Sequence, residues 1–172
     1  MTTADPGTPG VDTSARSGSV RRVTGVLRAQ GITAPVTVVA AGARTAADAA
    51  RSVGCAVDQI AKSIVFRPDG DGPPVVVVAR GGQRVDEGKV QACLGVRVRR
   101  ADPEYVRAAT GFAIGGVAPV GHTGPVTLLL DAGLFQYSAV WAAAGAPDAV
   151  VCLTPADLVR LTGSSPANVT IG

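Results

Sequence analysis

Aromatic residues account for only 3% of the 172 residues, so a core must come from the Val, Ala, Leu and Ile that dominate an apolar content of 47%. Histidine occurs once, at His122, and three cysteines, Cys55, Cys93 and Cys152, lie far apart without a Cys-x-x-Cys pair. That scarcity argues against a zinc framework or a disulfide scaffold. It favours a reducing cytosol, with the cysteines as small core residues. No apolar run reaches the roughly 20 residues of a membrane span. Residues 1–18 contain no apolar segment of the kind that marks a signal peptide. A soluble, cytoplasmic protein is therefore expected. Charge of one sign is scarce as well. The 16 basic and 13 acidic residues leave a net +3, which permits contact with a polyanion but lacks the dense basic stripe of a free nucleic-acid binder.

Common catalytic signatures are also missing. No Gly-Lys-Ser/Thr closes a Walker A loop, and no Gly-x-Gly-x-x-Gly marks a dinucleotide site. No Gly-x-Ser-x-Gly elbow presents a nucleophile.

The length suits one domain. Residues 1–18, rich in Thr, Pro, Gly, Ser and Asp, read as a disordered tail, and residues 19–172 as a single domain. Ser19 is placed to cap a helix with Val20, Val23, Val26 and Leu27 on one stripe, closed by Gly31. A strand is expected over 36–40. Thr45 caps a helix over 46–53, with Asp48 at the capping-box position and Gly54 as the stop. Gln59 to Phe66 and Val75 to Ala79 should form a hairpin across a Pro- and Gly-rich turn. Asp86 and Asp102-Pro103 start two more helices, with a strand over 96–100 between them. Strands over 126–131, 138–144 and 149–153 follow, and Thr154-Pro155 opens a last helix over 156–161. About seven strands with irregularly inserted helices indicate an α+β fold on a mixed sheet.

Two stretches are candidates for chemistry. In the first, alternation puts Lys62 on the same strand face as Ile60, Ile64 and Phe66. A buried, unpaired ammonium is strongly unfavourable, so Lys62 needs a partner, an aqueous cleft or a lowered pKa. The bland alternative is an edge strand whose lysine guards against pairing. The second stretch runs from Thr110 to His122 and holds Gly115-Gly116-Val117-Ala118-Pro119. Adjacent glycines allow positive φ and leave amides unshielded, and Pro119 stiffens the exit. Such a loop can present donors to a carbonyl oxygen or a phosphate, or can simply be a turn between core elements. His122 either lines a pocket or faces solvent. Asp131, at a strand end, either pairs with Lys62 or caps the following turn, and the structural role is favoured. Arg97, Arg99 and Arg100 read first as a solvated face, with contact to nucleic-acid phosphates as the other option.

In combination the motifs are more specific. Gln-Ile-Ala-Lys-Ser-Ile-Val-Phe at 59–66, Val-Asp-x-x-Lys-Val at 85–90, the Gly115-x-x-x-Pro119 loop, Leu-Leu-Leu-Asp at 128–131 and a glycine at Gly145 occur in order. From about Arg21 onward the chain resembles the YbaK/ProX family of aminoacyl-tRNA deacylases, relatives of the editing insertion of bacterial prolyl-tRNA synthetases. The resemblance implies a mixed, partly barrel-like sheet surrounded by helices. It implies trans-editing hydrolysis of the ester between a wrong amino acid and the terminal adenosine of tRNA, without cofactor or metal. The aminoacyl-tRNA acceptor end would be the partner, with an aminoacyl-tRNA synthetase as a further one. Lys62 matches the family's essential lysine and would hold the terminal nucleotide or the ester. Gly115, Gly116, Val117, Ala118 and Pro119 match its substrate-holding loop, with His122, Asp131 and Gly145 as further candidates around the substrate. Ala143 and Ala144 depart from the serine and paired glycines of cysteinyl-tRNA-type members, which puts cysteine specificity in doubt. A noncatalytic tRNA- or synthetase-binding module and a small-molecule nucleotide or amino-acid binder are the competing readings.

Overall fold

A computed structural model of the chain describes residues 18–39 and 43–172. The expected tail, apart from Gly18, lies outside the described residues, as does the last residue of the strand expected over 36–40. The described residues form α1 (Gly18–Ala29), β1 (Val36–Val38), α2 (Ala46–Val53), β2 (Ile60–Pro68), β3 (Val75–Arg80), α3 (Glu87–Leu94), β4 (Val98–Arg100), α4 (Pro103–Thr110), β5 (Thr127–Asp131), β6 (Val140–Ala143), β7 (Ala149–Leu153), α5 (Pro155–Thr162) and β8 (Pro166–Ala167).

Helix ends follow their local chemistry. The Thr45 hydroxyl accepts from the Asp48 amide, and the Asp48 carboxylate accepts from the Thr45 amide, so the shorter Asp closes the capping box as Glu would. Asp86 and Asp102 cap α3 and α4, and Thr154 with Asp157 closes a second box on α5. Gly54, Gly95, Gly111 and Gly163 end four helices in the left-handed region. The start of α1 differs from expectation: the helix already includes Gly18, so Ser19 lies in its first turn.

The strands join one mixed sheet in the order β1-β7-β6-β2-β3-β5-β8, with β4 added to β2. Among the described residues there are eight strands where about seven were expected, the extra one being the two-residue β8. β2 and β3 form the expected hairpin, in register from Ala61 opposite Arg80 to Phe66 opposite Val75. Both faces of this hairpin are covered. Ala61, Val65, Val76 and Val78 join the main core with Val20, Val23 and Leu27 of α1, Val106 of α4 and Leu158 of α5. Phe66, Val75, Val77 and Ala79 pack on the other side against Val90 of α3, Val98 and Val169. Burial on both faces is why β3 reads as an unbroken apolar run.

One irregularity of the sheet matters for function. β6 pairs with β2 only at Ile60 and Ala61, and β4 only from Phe66 to Pro68. Between those contacts β2 has one edge to which no strand of the described residues is paired. Odd-numbered residues turn their main-chain groups toward that edge: the Val65 carbonyl accepts from Ala101 N at 3.1 Å and Asp69 N donates to the Arg97 carbonyl at 2.9 Å. By the two-residue alternation, Ser63 presents its N–H and C=O there.

Candidate active site

A cavity of about 500 Å³ lies over this bare edge. Lys62 and Ser63 of β2, Gly115 and Val117 of the glycine loop, Arg100 at the end of β4 and Trp141 of β6 are among its lining. The remaining walls are mostly small and apolar, such as Ala46 and Ala49 of α2.

Lys62 is not an edge guard, because β2 lies inside the sheet with β6 and β4 on one side and β3 on the other. Its Nζ donates to the Gly81 carbonyl at 3.1 Å and to the Gln83 carbonyl at 2.6 Å. Burial pushes its pKa below the usual lysine range, the charge of Arg100 pushes it the same way, and Asp58 opposes both. An ammonium has three donors, so one remains for a ligand. Ser63, which sequence reasoning passed over, has a buried hydroxyl with no hydrogen-bond partner among the described residues.

The glycine loop meets the cavity through Gly115 and Val117. The Gly116 amide closes a turn on the Ala113 carbonyl at 2.9 Å, and Gly115 takes φ +86° within that turn. The Gly116 amide is thereby spent, whereas the Gly115 and Val117 amides have no hydrogen-bond partner among the described residues. Gly116 touches the β6–β7 turn so closely that a Cβ would lie 2.8 Å from the Ala146 backbone. At Gly115 the nearest atom to a Cβ would be Pro147 Cβ at 3.7 Å. These two neighbours should therefore respond differently. Gly116→Ala should lose stability and activity together, because backbone has to move. Gly115→Ala should cost about 1 kcal/mol of stability from the left-handed conformation alone. Urea midpoints for the two variants check this, and a neutral Gly116→Ala would refute the contact.

The other expected residues lie away from this cavity. Ala118 and Pro119 are buried. Pro119 and His122 line a second cavity of about 330 Å³ beside α5. His122 Nε2 is 2.8 Å from the Ala118 carbonyl, and the ring meets Phe112 edge-on. Arg22 of α1 lies 5.2 Å from the Phe112 ring centroid and donates to the Gly111 and Gly121 carbonyls. His122 and Arg22 thus brace the far end of the loop. Gly145, at φ +105°, packs where a Cβ would lie 2.7 Å from the Ser19 carbonyl oxygen. Asp131 is paired with Arg80 and not with Lys62: its Oδ2 accepts from Arg80 N at 3.0 Å and Arg80 Nε at 2.8 Å. Its Oδ1 caps the next turn at Gly133 N, 2.9 Å away, as the structural alternative expects. The Arg80 guanidinium continues to Thr170 Oγ1.

His122 makes a pH prediction. Burial holds its pKa below the ordinary 6.5, with the Ala118 hydrogen bond opposing and the Arg22 charge assisting. A depressed folded pKa means the unfolded chain binds the proton more readily, so this contribution is complete above 6.5 and is lost as pH falls toward the folded value. The thermal midpoint should drop between pH 7.5 and 5.5, and His122→Phe should flatten that drop. An equal drop in the variant would show that other groups cause it.

This arrangement defines an α+β domain with a ligand cavity whose polar floor is the bare edge of a sheet strand beside a lysine. Residues 40–161 match the aminoacyl-tRNA editing domain, and the chain belongs to that family. It is 43% identical to a solved structure described as "a putative trans-editing enzyme for prolyl tRNA synthetase", with a TM-score of 0.85, covering 92% of this chain and 100% of that one. It is 33% identical over 129 residues to the uncharacterized protein YwhH of Bacillus subtilis, covering 75% of this chain and 82% of that protein. It is 30% identical over 127 residues to the "Putative Cys-tRNA(Pro)/Cys-tRNA(Cys) deacylase EbsC" of Enterococcus faecalis, covering 73% of this chain and 77% of that protein. Among the described residues no helix is long and apolar enough to cross a membrane.

Proposed function

We propose that this protein deacylates mischarged aminoacyl-tRNA by hydrolysing the ester at the terminal adenosine. The carrying observation is the cavity in which Lys62, the bare edge at Ser63 and the Gly115–Val117 turn line one space. Ester hydrolysis needs donors where negative charge develops on the carbonyl oxygen. The spare N–H of Lys62 and the Gly115 and Val117 amides are suited to that task, and the Ser63 carbonyl suits a cationic α-amino group. Water is the nucleophile in this scheme: among the described lining residues there is no histidine or cysteine, and the Thr45 and Ser63 hydroxyls have no histidine beside them to take their proton. Small apolar walls favour a small, uncharged aminoacyl side chain. The tRNA acceptor end is then the macromolecular partner, the cytoplasm its place of work, and a synthetase a further partner that supplies mischarged tRNA.

The test is a panel of tRNAs misacylated with Ala, Ser, Cys and Pro, with release of free amino acid measured under single turnover. Hydrolysis of at least one small-side-chain ester above the spontaneous rate is expected. No release from any, with tRNA still bound, would favour a noncatalytic binding module. Equal affinity for free aminoacyl-adenosine and for the charged tRNA would favour a small-molecule binder.

A further inference from the structure

Four residues before Lys62 in the chain, Asp58 sits in the 3₁₀ turn Val57–Gln59 that leads into β2. Its Oδ1 accepts from Gly82 N at 2.9 Å and its Oδ2 from Gln83 Nε2 at 3.3 Å. These are residues of the same turn whose Gly81 and Gln83 carbonyls accept from the Lys62 ammonium. The turn is pressed against the 3₁₀ segment: a Cβ on Gly81 would lie 2.5 Å from the Val57 carbonyl oxygen, and one on Gly82 would lie 2.5 Å from Asp58 Oδ1. Two glycines are thus required for one carboxylate to reach the turn.

We propose that Asp58 is a positioning residue for Lys62: by clamping the 81–83 turn it fixes the two carbonyls that hold the ammonium, and so aims the remaining donor at the substrate. Without the clamp, a Gly-Gly turn has the widest conformational freedom available to a backbone, and the carbonyls that orient Lys62 would wander with it. Asp58 also supplies an acidic charge acting on Lys62, against Arg100 from the β4 side; Arg80, at the end of β3, is engaged with Asp131. The kinetic part of this inference rests on the deacylase reading, and the spectroscopic part does not.

The chain has only two lysines, Lys62 and Lys89, so ¹³C-lysine labelling gives two side-chain signals, the second an internal control. Asp58→Asn removes the charge and half of the clamp, since its one oxygen can still accept from Gly82 N but its amide nitrogen cannot accept from Gln83 Nε2. The Lys62 signal should titrate at lower pH in this variant. Deacylation should fall about tenfold in kcat at little change in KM, less than the hundredfold that a 1 Å misplacement can cost, and its basic limb should shift with the lysine. Gly82→Ala, which pushes the carboxylate off the turn and leaves Asp58 in place, should lower kcat similarly. A folded Asp58→Asn protein with an unchanged Lys62 titration, or with wild-type kcat, overturns the proposal. A wild-type protein that hydrolyses no tRNA of the panel overturns the deacylase reading, and the lysine titration then decides the role of Asp58 alone.

Discussion

Replacing Lys62 by Ala should slow deacylation by roughly a hundredfold or more, the scale of losing one positioned electrostatic donor, while the fold persists. The folded protein carries the cost of a half-buried ammonium whose neighbours are two carbonyls and a like-charged Arg100. Removing it relieves that desolvation, so the thermal midpoint should hold or rise, the trade-off usual at functional positions. The Gly81 and Gln83 carbonyls it leaves behind belong to a partly exposed turn, within reach of water. Lys62→Arg should not restore the rate, because a planar fork cannot hold two converging carbonyls and still aim a third donor as a compact ammonium does. The pH profile adds a second signature. The charged form is the working one, so activity should vanish as pH rises through a folded pKa that lies below the ordinary 10.5. Single-turnover rates and melting curves on the same two variants check all of this, and wild-type activity in Lys62→Ala would sink the catalytic assignment.

Asp131→Ala should show the opposite pattern, a loss of about 3 kcal/mol of stability, in the range for breaking a buried ion pair by removing one partner. Asp131 is 1% exposed and satisfies three donors, Arg80 N, Arg80 Nε and Gly133 N. Its loss strands the Arg80 guanidinium in a tight slot, where a Cβ on Gly133 would lie only 2.1 Å from Nε. The bond from Arg80 to Thr170, which ties the C-terminal segment to the sheet, weakens as well. The rate per folded molecule at low temperature should stay within a few-fold of wild type, since Asp131 does not line the cavity. A large rate loss with little change in urea midpoint would return Asp131 to the substrate side.

Much of the fold was legible because local signals agreed with one another. Thr45 with Asp48, Asp102 with Pro103, and Thr154 with Pro155 each announce a helix start within one turn of chain, and the structure places helices at all three. The β2–β3 hairpin was legible from a Pro-Gly turn between two β-rich runs. Lys62 stood out for a similar reason, as one charge in an apolar row. What sequence could not show depends on pairing at a distance. β8 has only two residues and forms because β5 is there to receive it. The bare edge at Ser63 arises from where β6 and β4 stop, which no residue of β2 encodes. The clamp by Asp58 needs the 81–83 turn to be folded beside it, and the bond to Gly82 spans 24 positions of chain. His122 and Asp131 were candidates by residue type, yet their surroundings place one as a brace and the other in a buried ion pair.

The unpaired stretch of β2 also bears on how such a protein can change over time. Main-chain N–H and C=O groups are the same whatever residue occupies the position, so that part of the polar floor survives almost any drift in sequence. Discrimination between substrates is then left to the walls, where Ala46, Ala49 and Ala143 each have room to grow or shrink by a methylene at a time. On the proposed deacylase reading, anchoring and selectivity are inherited separately: a lineage can retune which side chain it admits through one wall exchange, while the backbone edge that meets the α-amino group stays the same.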